Sequence, residues 1–155
     1  MDNLNKLLEI KGIEFEEKMW NIINTIGWGV KTVNYKQIRE FLKDNFNDNF
    51  IIRMKIFCVQ KRKELASALD EYEDKIGLSN YYGVGDDGFW DLTAHIVGLG
   101  KHWYYDTIKY PEIAKEIADN YMYKENFEYI FNLSYDQNTT DKQTYDKEST
   151  NYGLG

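Results

Sequence analysis

The sequence is poor in three residue types that often define a protein class. It has one cysteine, one proline and two histidines among 155 residues. The single Cys58 cannot close an internal disulfide. No apolar run approaches the roughly 20 residues that a membrane-spanning helix needs, and the first segment, MDNLNKLLEI, has no basic stretch leading into a long apolar one. We therefore expect a cytoplasmic protein that does not associate with a membrane.

Positive charge is also in short supply. The chain has 19 Lys and Arg against 26 Asp and Glu, which gives a formal net charge of −7 and a sequence pI of about 4.9. Such a charge repels phosphate backbones and favours basic partners, so we expect no nucleic-acid binding. Solubility alone also accounts for an acidic surface.

The one basic concentration does not change this expectation. Five cations fall within eleven residues without an acid between them: Arg53, Lys55, Lys61, Arg62 and Lys63. At 100° per residue they scatter around a helix, so the pattern predicts a solvated face rather than a nucleic-acid patch.

Aromatic and apolar residues, by contrast, are abundant. The chain has 13 Tyr, 8 Phe and 4 Trp, and 43% of its residues are hydrophobic, which is enough for one core in a domain of this length. Between the glycines the apolar residues recur every three or four positions, as on amphipathic helices. Cap and stop signals predict helices over 13–26, 35–45 and 48–76, followed by shorter ones around Phe89–Leu99, Trp103–Ile108, Ile113–Ile117 and Phe127–Phe131.

These elements predict an all-α, single-domain bundle of six or seven helices around one long central helix. The helical domain covers 1–133. From 134 to 155 the composition becomes polar, with tyrosines and almost no aliphatic residues, which is typical of a tail that is irregular or forms a weak β-ribbon. On the long helix we expect Cys58 to be a buried small apolar residue, while Lys61 either extends along apolar surface to water or faces a carboxylate.

The middle of the chain resembles the bacterial domain-of-unknown-function family 4240. The motifs that carry the resemblance lie within 81–120, inside a wider likeness over 13–120: Gly85-Asp86-Asp87-Gly88-Phe89, then Gly98-Leu99-Gly100-Lys101, then Tyr110-Pro111. Thr93 and His95 stand where such sequences often have an Arg and a Trp. The resemblance implies a helical bacterial intracellular protein, and it transfers no catalytic residues because the family has no established activity.

Eight residues are candidates for a binding site: Trp28, Asp86, Asp87, Trp90, Asp91, His95, His102 and Trp103. Asp86 and Asp87 could bind a cation or share a proton, but beside Gly88 they more readily supply the cap and the dipole partner of a helix. Helical spacing pairs Asp91 with His95, and His102 with Asp106, as oriented acid–base pairs. Clustered Trp and Tyr are typical of a pocket or an interface as well as of a core.

The candidates do not assemble a catalytic set, so we predict neither a cofactor nor a metal site. Zinc wants three or four good ligands, and Cys58 is distant from both histidines in the sequence. The leading hypothesis is a non-enzymatic acidic protein-binding domain of the immunity or antitoxin type, which covers a basic protein partner. The alternative is a small-ligand-binding protein or an enzyme with a pocket around His95 and His102. A homo-oligomeric module built on the long helix is a third hypothesis, and the oligomeric state stays open.

Overall fold

The computed structural model describes residues 2–29, 34–76, 85–120, 123–125 and 127–133. This part of the chain is all-α, as predicted. Its elements are six α-helices and a closing 3-10 helix: α1 (Asp2–Ile26), α2 (Tyr35–Asn45), α3 (Asp48–Ile76), α4 (Gly85–Gly98), α5 (Lys101–Lys109), α6 (Glu112–Asp119) and the 3-10 helix (Phe127–Phe131). The predicted tail over 134–155 lies outside the described residues.

Local capping signals place α2 and α3 where the sequence predicts them. The Asn34 side chain accepts from the backbone N–H of Gln37 at 3.1 Å and so caps α2. Asn47 does the same for α3, accepting from the N–H of Phe50 at 2.8 Å, one residue before the predicted start of this helix at 48. Each cap satisfies an N–H group that the helix itself leaves without an acceptor.

Two helix starts differ from the prediction. Helix α1 begins at Asp2 instead of near residue 13, because Gly12 does not interrupt it. An isolated glycine costs an exposed helix only about 1 kcal/mol, which its neighbours offset. Helix α4 already begins at Gly85, so Asp86 and Asp87 belong to its first turn rather than to its cap. Acidic residues there still interact favourably with the helix dipole.

Helix α3 forms the centre of the bundle. It packs against α2, α4, α5 and the 3-10 helix, and the side chains of Leu65 and Leu69 have no exposed surface. Cys58 is buried on the same helix, as predicted, and burial together with the nearby charge of Glu128 raises the pKa of its thiol. The thiol is therefore protonated at neutral pH and acts as a small apolar group.

The prediction of a solvated basic face on α3 is wrong for two of its five cations. Lys55 and Arg62 are buried. Lys55 Nζ donates to Asn132 Oδ1 at 2.6 Å, and Arg62 Nε donates to Glu128 Oε2 at 2.6 Å. Both partners lie at the 3-10 helix, so buried polar bonds join that helix to α3.

A third buried cation reaches the same region from α2. Arg39 donates from its two terminal nitrogens to the carbonyl oxygens of Tyr129 and Asn132, at 2.9 and 2.6 Å. Carbonyls at a helix end have no partner within the helix, and a guanidinium satisfies two at once. The last described segment is thus fixed by cations from both α2 and α3.

The turn between α4 and α5 depends on its two glycines. Gly100 has a φ of 110°, which only glycine adopts without strain. Gly98 lies so close to two buried rings that a Cβ on it would be 2.8 Å from atoms of Trp28 and Phe127. The Gly-x-Gly motif therefore sets how closely α4 approaches its aromatic neighbours.

We expect Gly98→Ala and Gly12→Ala to change stability in opposite directions. The Gly98 substitution forces a methyl group against two buried rings and should destabilise the protein by about 1–3 kcal/mol. No atom lies within 4 Å of a Cβ on Gly12, so that substitution should stabilise it by about 0.5–1 kcal/mol. Urea unfolding of both variants measures the difference. Equal effects from the two would contradict the packing described for Gly98.

Candidate functional site

Two neighbouring cavities lie where the end of α1 meets the turn between α4 and α5. The first, here the Trp28 cavity, has a volume of about 330 Å³ and is lined by Ile23, Asn24, Gly27, Trp28, Gly29, His95, Gly98, Leu99, Trp103 and Lys124. The second, here the His102 cavity, has a volume of about 390 Å³ and is lined by Asn24, Leu99, Lys101, His102, Tyr105 and Asp106. The cavities share Asn24 and Leu99.

The Gly-Trp-Gly turn after α1 carries Trp28 into the interior. Gly27 has a φ of 68°, which ends the helix in the manner of a C-terminal glycine. The indole of Trp28 is buried and packs edge-on against Phe127, with ring centroids 5.1 Å apart. Its Nε1–H donates to Nδ1 of His95 at 2.9 Å. A buried indole needs an acceptor, and His95 supplies it.

His95, in the last turn of α4, accepts a second hydrogen bond at the same nitrogen. The backbone N–H of Lys124 donates to Nδ1 at 3.0 Å. Two donors on Nδ1 require that this nitrogen be unprotonated, so the proton of the neutral ring lies on Nε2. Burial, assisted by the charge of Lys124, lowers the pKa of His95 to about 4. The imidazole is therefore neutral at physiological pH.

Lys124 joins the backbone of the turn to the rim of the cavity. Its Nζ donates to the carbonyl oxygen of Trp28 and lies 5.7 Å from the centre of the Trp28 ring. The same residue thus contacts His95 through its main chain and Trp28 through its side chain. Among the described lining residues of the Trp28 cavity, Lys124 is the one with a Lys, Arg, Asp or Glu side chain.

The structure brings together three of the eight predicted site residues and separates the others. Trp28, His95 and Trp103 line one cavity. His102 lines the neighbouring one, and its Nε2 lies 3.2 Å from Asp106 Oδ2, which confirms that predicted pair. The two histidines therefore line neighbouring cavities that share Asn24 and Leu99.

The predicted residues at the start and middle of α4 lie elsewhere. Asp87 precedes His95 by eight residues, or about 12 Å along the helix, and lines neither cavity. Asp91 is half-buried and lines neither cavity as well. Trp90 is partly exposed and covers Arg62, whose guanidinium carbon lies 3.6 Å from the ring centre. The side chain of Asp86 is outside the described residues.

Sequence reasoning missed Asn24 and Lys124. Asn24 occupies the polar side of α1 and Lys124 an irregular segment, and neither belongs to a motif. Only the doubled glycines around Trp28 indicated that this end of α1 was special. The proximity of Lys124 to His95 depends on the path of the chain over nearly 30 residues, which no local pattern encodes.

A second group of ionisable side chains connects α1, α3 and α5. Lys61 Nζ lies 3.1 Å from Glu16 Oε1 and 3.3 Å from Glu64 Oε2, so this lysine faces carboxylates, one of the two alternatives for it. Two tyrosines complete the group, since Tyr105 donates to Glu16 at 2.8 Å and Tyr104 to Glu64 at 2.9 Å. We refer to these five residues as the Glu16 network.

The network shifts the titration of its members. Burial alone would raise the pKa of Glu16, but the hydrogen bonds from Tyr105 and Lys61, together with the Lys61 charge, lower it below its ordinary value. Burial and the bond to Glu16 raise the pKa of Tyr105. Glu16 is thus a stable anion and Tyr105 a stable donor at neutral pH, which suits a fixed surface rather than proton transfer.

Large exposed rings concentrate on α5. The described part of the chain exposes five large apolar side chains: Ile13, Trp90, Trp103, Tyr105 and Tyr110. The last three lie on α5 or at its C-terminal cap. Lys101 of the same helix pairs with Glu17 of α1. The α5 face, as we call Glu17, Trp103, Tyr105, Asp106 and Tyr110, therefore combines aromatic rings with carboxylates.

The described residues contain no group of three or more His, Cys, Asp and Glu side chains arranged to hold a metal ion. Among the helices whose placement is described, none has both the length and the apolar character needed to cross a bilayer.

Comparison with protein-family models gave no match, and comparisons with curated proteins and with solved structures found no similar protein. The resemblance to family 4240 stays a prediction, so the site must be interpreted from its own geometry.

Proposed function

We propose that this protein is a non-enzymatic acidic domain that binds a basic protein partner, in the manner of an immunity protein or an antitoxin. The observation that carries the proposal is the α5 face, a set of residues in which three exposed aromatic side chains of α5 and its C-terminal cap combine with the carboxylates of Asp106 and of Glu17, the partner of Lys101. Tyr and Trp are the residues that most often dominate the binding energy of protein interfaces.

The distribution of charge supports a basic partner. Among the residues whose burial is described, the buried charged ones are Arg39, Lys55, Arg62 and Glu128, a set with a net charge of +2. Burial of these cations takes positive charge off the surface of a chain whose net charge is −7. An acidic surface accelerates encounter with a basic protein and disfavours acidic competitors.

The Glu16 network prepares the α5 face for binding. The hydrogen bond from Tyr105 to Glu16 restrains a ring that is exposed on the surface. Tyr104, buried beneath it, is held by Glu64 and packs edge-on against Tyr105 with ring centroids 4.9 Å apart. Side chains already held in one conformation lose less entropy on association.

A catalytic role shared by the two histidines has less support. They line different cavities, and Nδ1 of His95 already accepts two hydrogen bonds. His102 is 90% exposed, so water competes for every contact it makes. The hypothesis of a small-ligand-binding protein has one specific observation in its favour, the Trp28 cavity.

The test is capture of a partner by tagged wild type and by two variants. Tyr105→Ala/Tyr110→Ala removes two rings of the α5 face, and Ile13→Ala removes an even more exposed apolar side chain elsewhere. We expect wild type and the Ile13 variant to retain one basic protein stoichiometrically. The double variant should bind it at least about 30-fold more weakly, as loss of interface hot spots does.

Quantitative mass spectrometry of the retained proteins at low and high salt, followed by titration of the identified partner, provides the measurement. Affinity should fall as salt rises, because opposite charges meet at the interface. Retention of a partner equally well by the double variant, or retention of acidic proteins only, would overturn the proposal. Circular dichroism spectra of all variants verify that they are folded.

A further inference from the structure

The Trp28 cavity differs in charge from the rest of the protein. Although the chain has 26 Asp and Glu, none of the ten described residues that line this cavity is acidic. Lys124 is the one Lys or Arg side chain among them. Glu125 follows Lys124 in the chain, is exposed and does not line the cavity. The described lining of this cavity is therefore basic, in contrast to the acidic chain as a whole.

The imidazole of His95 adds a hydrogen-bond donor to this charge. His95 lines the cavity and is only 3% exposed, with both of its described hydrogen bonds at Nδ1. The proton therefore resides on Nε2. A ligand oxygen that enters the cavity could accept a hydrogen bond from this N–H group.

The first turn of α5 begins beside the cavity. The N-cap of α5 is Gly100, so no side chain caps this helix. Leu99 and Trp103, on either side of Gly100, both line the cavity. Uncapped N–H groups and the positive end of the helix dipole attract anions.

The remaining lining is apolar and aromatic. Trp28, Trp103, Ile23 and Leu99 form most of the wall, and Gly27, Gly29 and Gly98 leave space where side chains would otherwise project. The volume of about 330 Å³ is at the small end of the range for ligand sites and equals that of about ten water molecules. A ligand of this size would place an apolar body against the indoles.

From this arrangement we propose that the Trp28 cavity binds a small organic anion, a carboxylate or phosphate monoester with a planar apolar body. The anion lies between Lys124 and Nε2–H of His95, near the first turn of α5, and the body packs on Trp103. This site shares Trp103 with the α5 face that we propose to bind a protein partner, but none of its other described lining residues belongs to that face.

The test uses three probes that share one ring: phenylacetate, phenyl phosphate and the neutral phenylacetamide. Binding is followed by calorimetry and by the indole N–H resonances of Trp28 and Trp103, assigned with Trp103→Phe. We expect one or both of the anions to bind at least about ten-fold more tightly than phenylacetamide. The stronger anion identifies the ligand class as carboxylate or phosphate.

Three variants locate the anion. In His95→Asn, Oδ1 replaces Nδ1 as the acceptor for Trp28 and Lys124, while the Nε2–H donor is lost. Lys124→Met removes the charge, and Lys124→Arg keeps it. We expect His95→Asn and Lys124→Met each to weaken anion binding about ten-fold or more, and Lys124→Arg to retain most of it. His102→Gln, which alters only the neighbouring cavity, should leave affinity unchanged.

Several results would overturn this proposal. The first is that phenylacetamide binds as tightly as the anions. The second is that neither His95→Asn nor Lys124→Met changes the affinity for the anions. The third is the absence of any indole shift with either anion up to about 10 mM. Because the protein partner is tested with Tyr105 and Tyr110, either proposal can fail while the other holds.

Discussion

Replacement of Glu128 by alanine should lower the free energy of unfolding by about 3–5 kcal/mol, the usual cost of removing one member of a buried ion pair. Glu128 and Arg62 are both buried, with side-chain exposures of 2% and 7%, and are joined by a 2.6 Å hydrogen bond. Without the carboxylate, the Arg62 guanidinium keeps its charge in a poorly solvated place. The stacking of Trp90 on Arg62 offsets only a small part of this cost.

The matched control is Asp119→Ala, which removes the acidic member of the exposed pair that Lys115 forms within α6. Exposed pairs at this spacing contribute about 0.3–0.5 kcal/mol, so the control should be nearly neutral. Urea unfolding followed by tryptophan fluorescence measures both variants. A Glu128 variant within 1 kcal/mol of wild type would mean that Arg62 finds another anion or reaches water.

A double replacement separates the contribution of the ion pair to stability from the contribution of packing in the same space. Arg62→Met/Glu128→Leu exchanges both charges for apolar side chains, which is often neutral or stabilising in a protein interior. We expect the double variant to be more stable than Glu128→Ala alone. That order would show that the ion pair adds little net stability and mainly fixes the position of the 3-10 helix on α3.

The helices could be predicted from the sequence because their signals are local. Asn34 and Asn47 cap α2 and α3 by accepting from backbone N–H groups three residues later, and apolar residues recur with the helical period. The start of α1 could not be predicted from Gly12, because one glycine in a long exposed helix is a small penalty. Where a local signal decides an element, the sequence is sufficient.

The polar interior could not be predicted because its partners are remote in the chain. Lys55 bonds to Asn132, 77 residues later, and Arg62 to Glu128, 66 residues later. A count of charges on one helix cannot reveal such partners, so burial of the two cations contradicts the expectation of a solvated face. The same limit applies to the Trp28 cavity, where Trp28 and His95 were candidates but Lys124 was not.

Stability should fall between about pH 6.5 and pH 4 because His95 resists protonation in the folded protein. Its pKa is about 4 in the fold and 6.5 in an exposed imidazole. Above pH 6.5 the ring is neutral in both states and contributes no pH dependence. Below it the unfolded chain takes up the proton first, which favours unfolding by at most about 3 kcal/mol by pH 4.

His95→Asn isolates this contribution from the carboxylates that also titrate toward pH 4. Asparagine keeps an acceptor for Trp28 Nε1–H and the Lys124 N–H but has no proton to gain. The difference in unfolding free energy between wild type and this variant should therefore be constant above pH 7. As the pH falls from 6.5 to 4, the variant should gain stability relative to wild type. His95→Phe, which offers no acceptor, should be less stable than the asparagine variant at every pH, by about 1–3 kcal/mol.

Urea unfolding of the three proteins at half-unit steps of pH supplies the comparison. Parallel curves for wild type and His95→Asn would contradict the lowered pKa of His95. A phenylalanine variant as stable as the asparagine variant would mean that Trp28 and Lys124 find other acceptors. If the expected order is observed, His95 couples the last turn of α4 to the Trp28 turn and to Lys124 through one neutral ring. Acidification would then loosen the walls of the Trp28 cavity before it unfolds the α3 core.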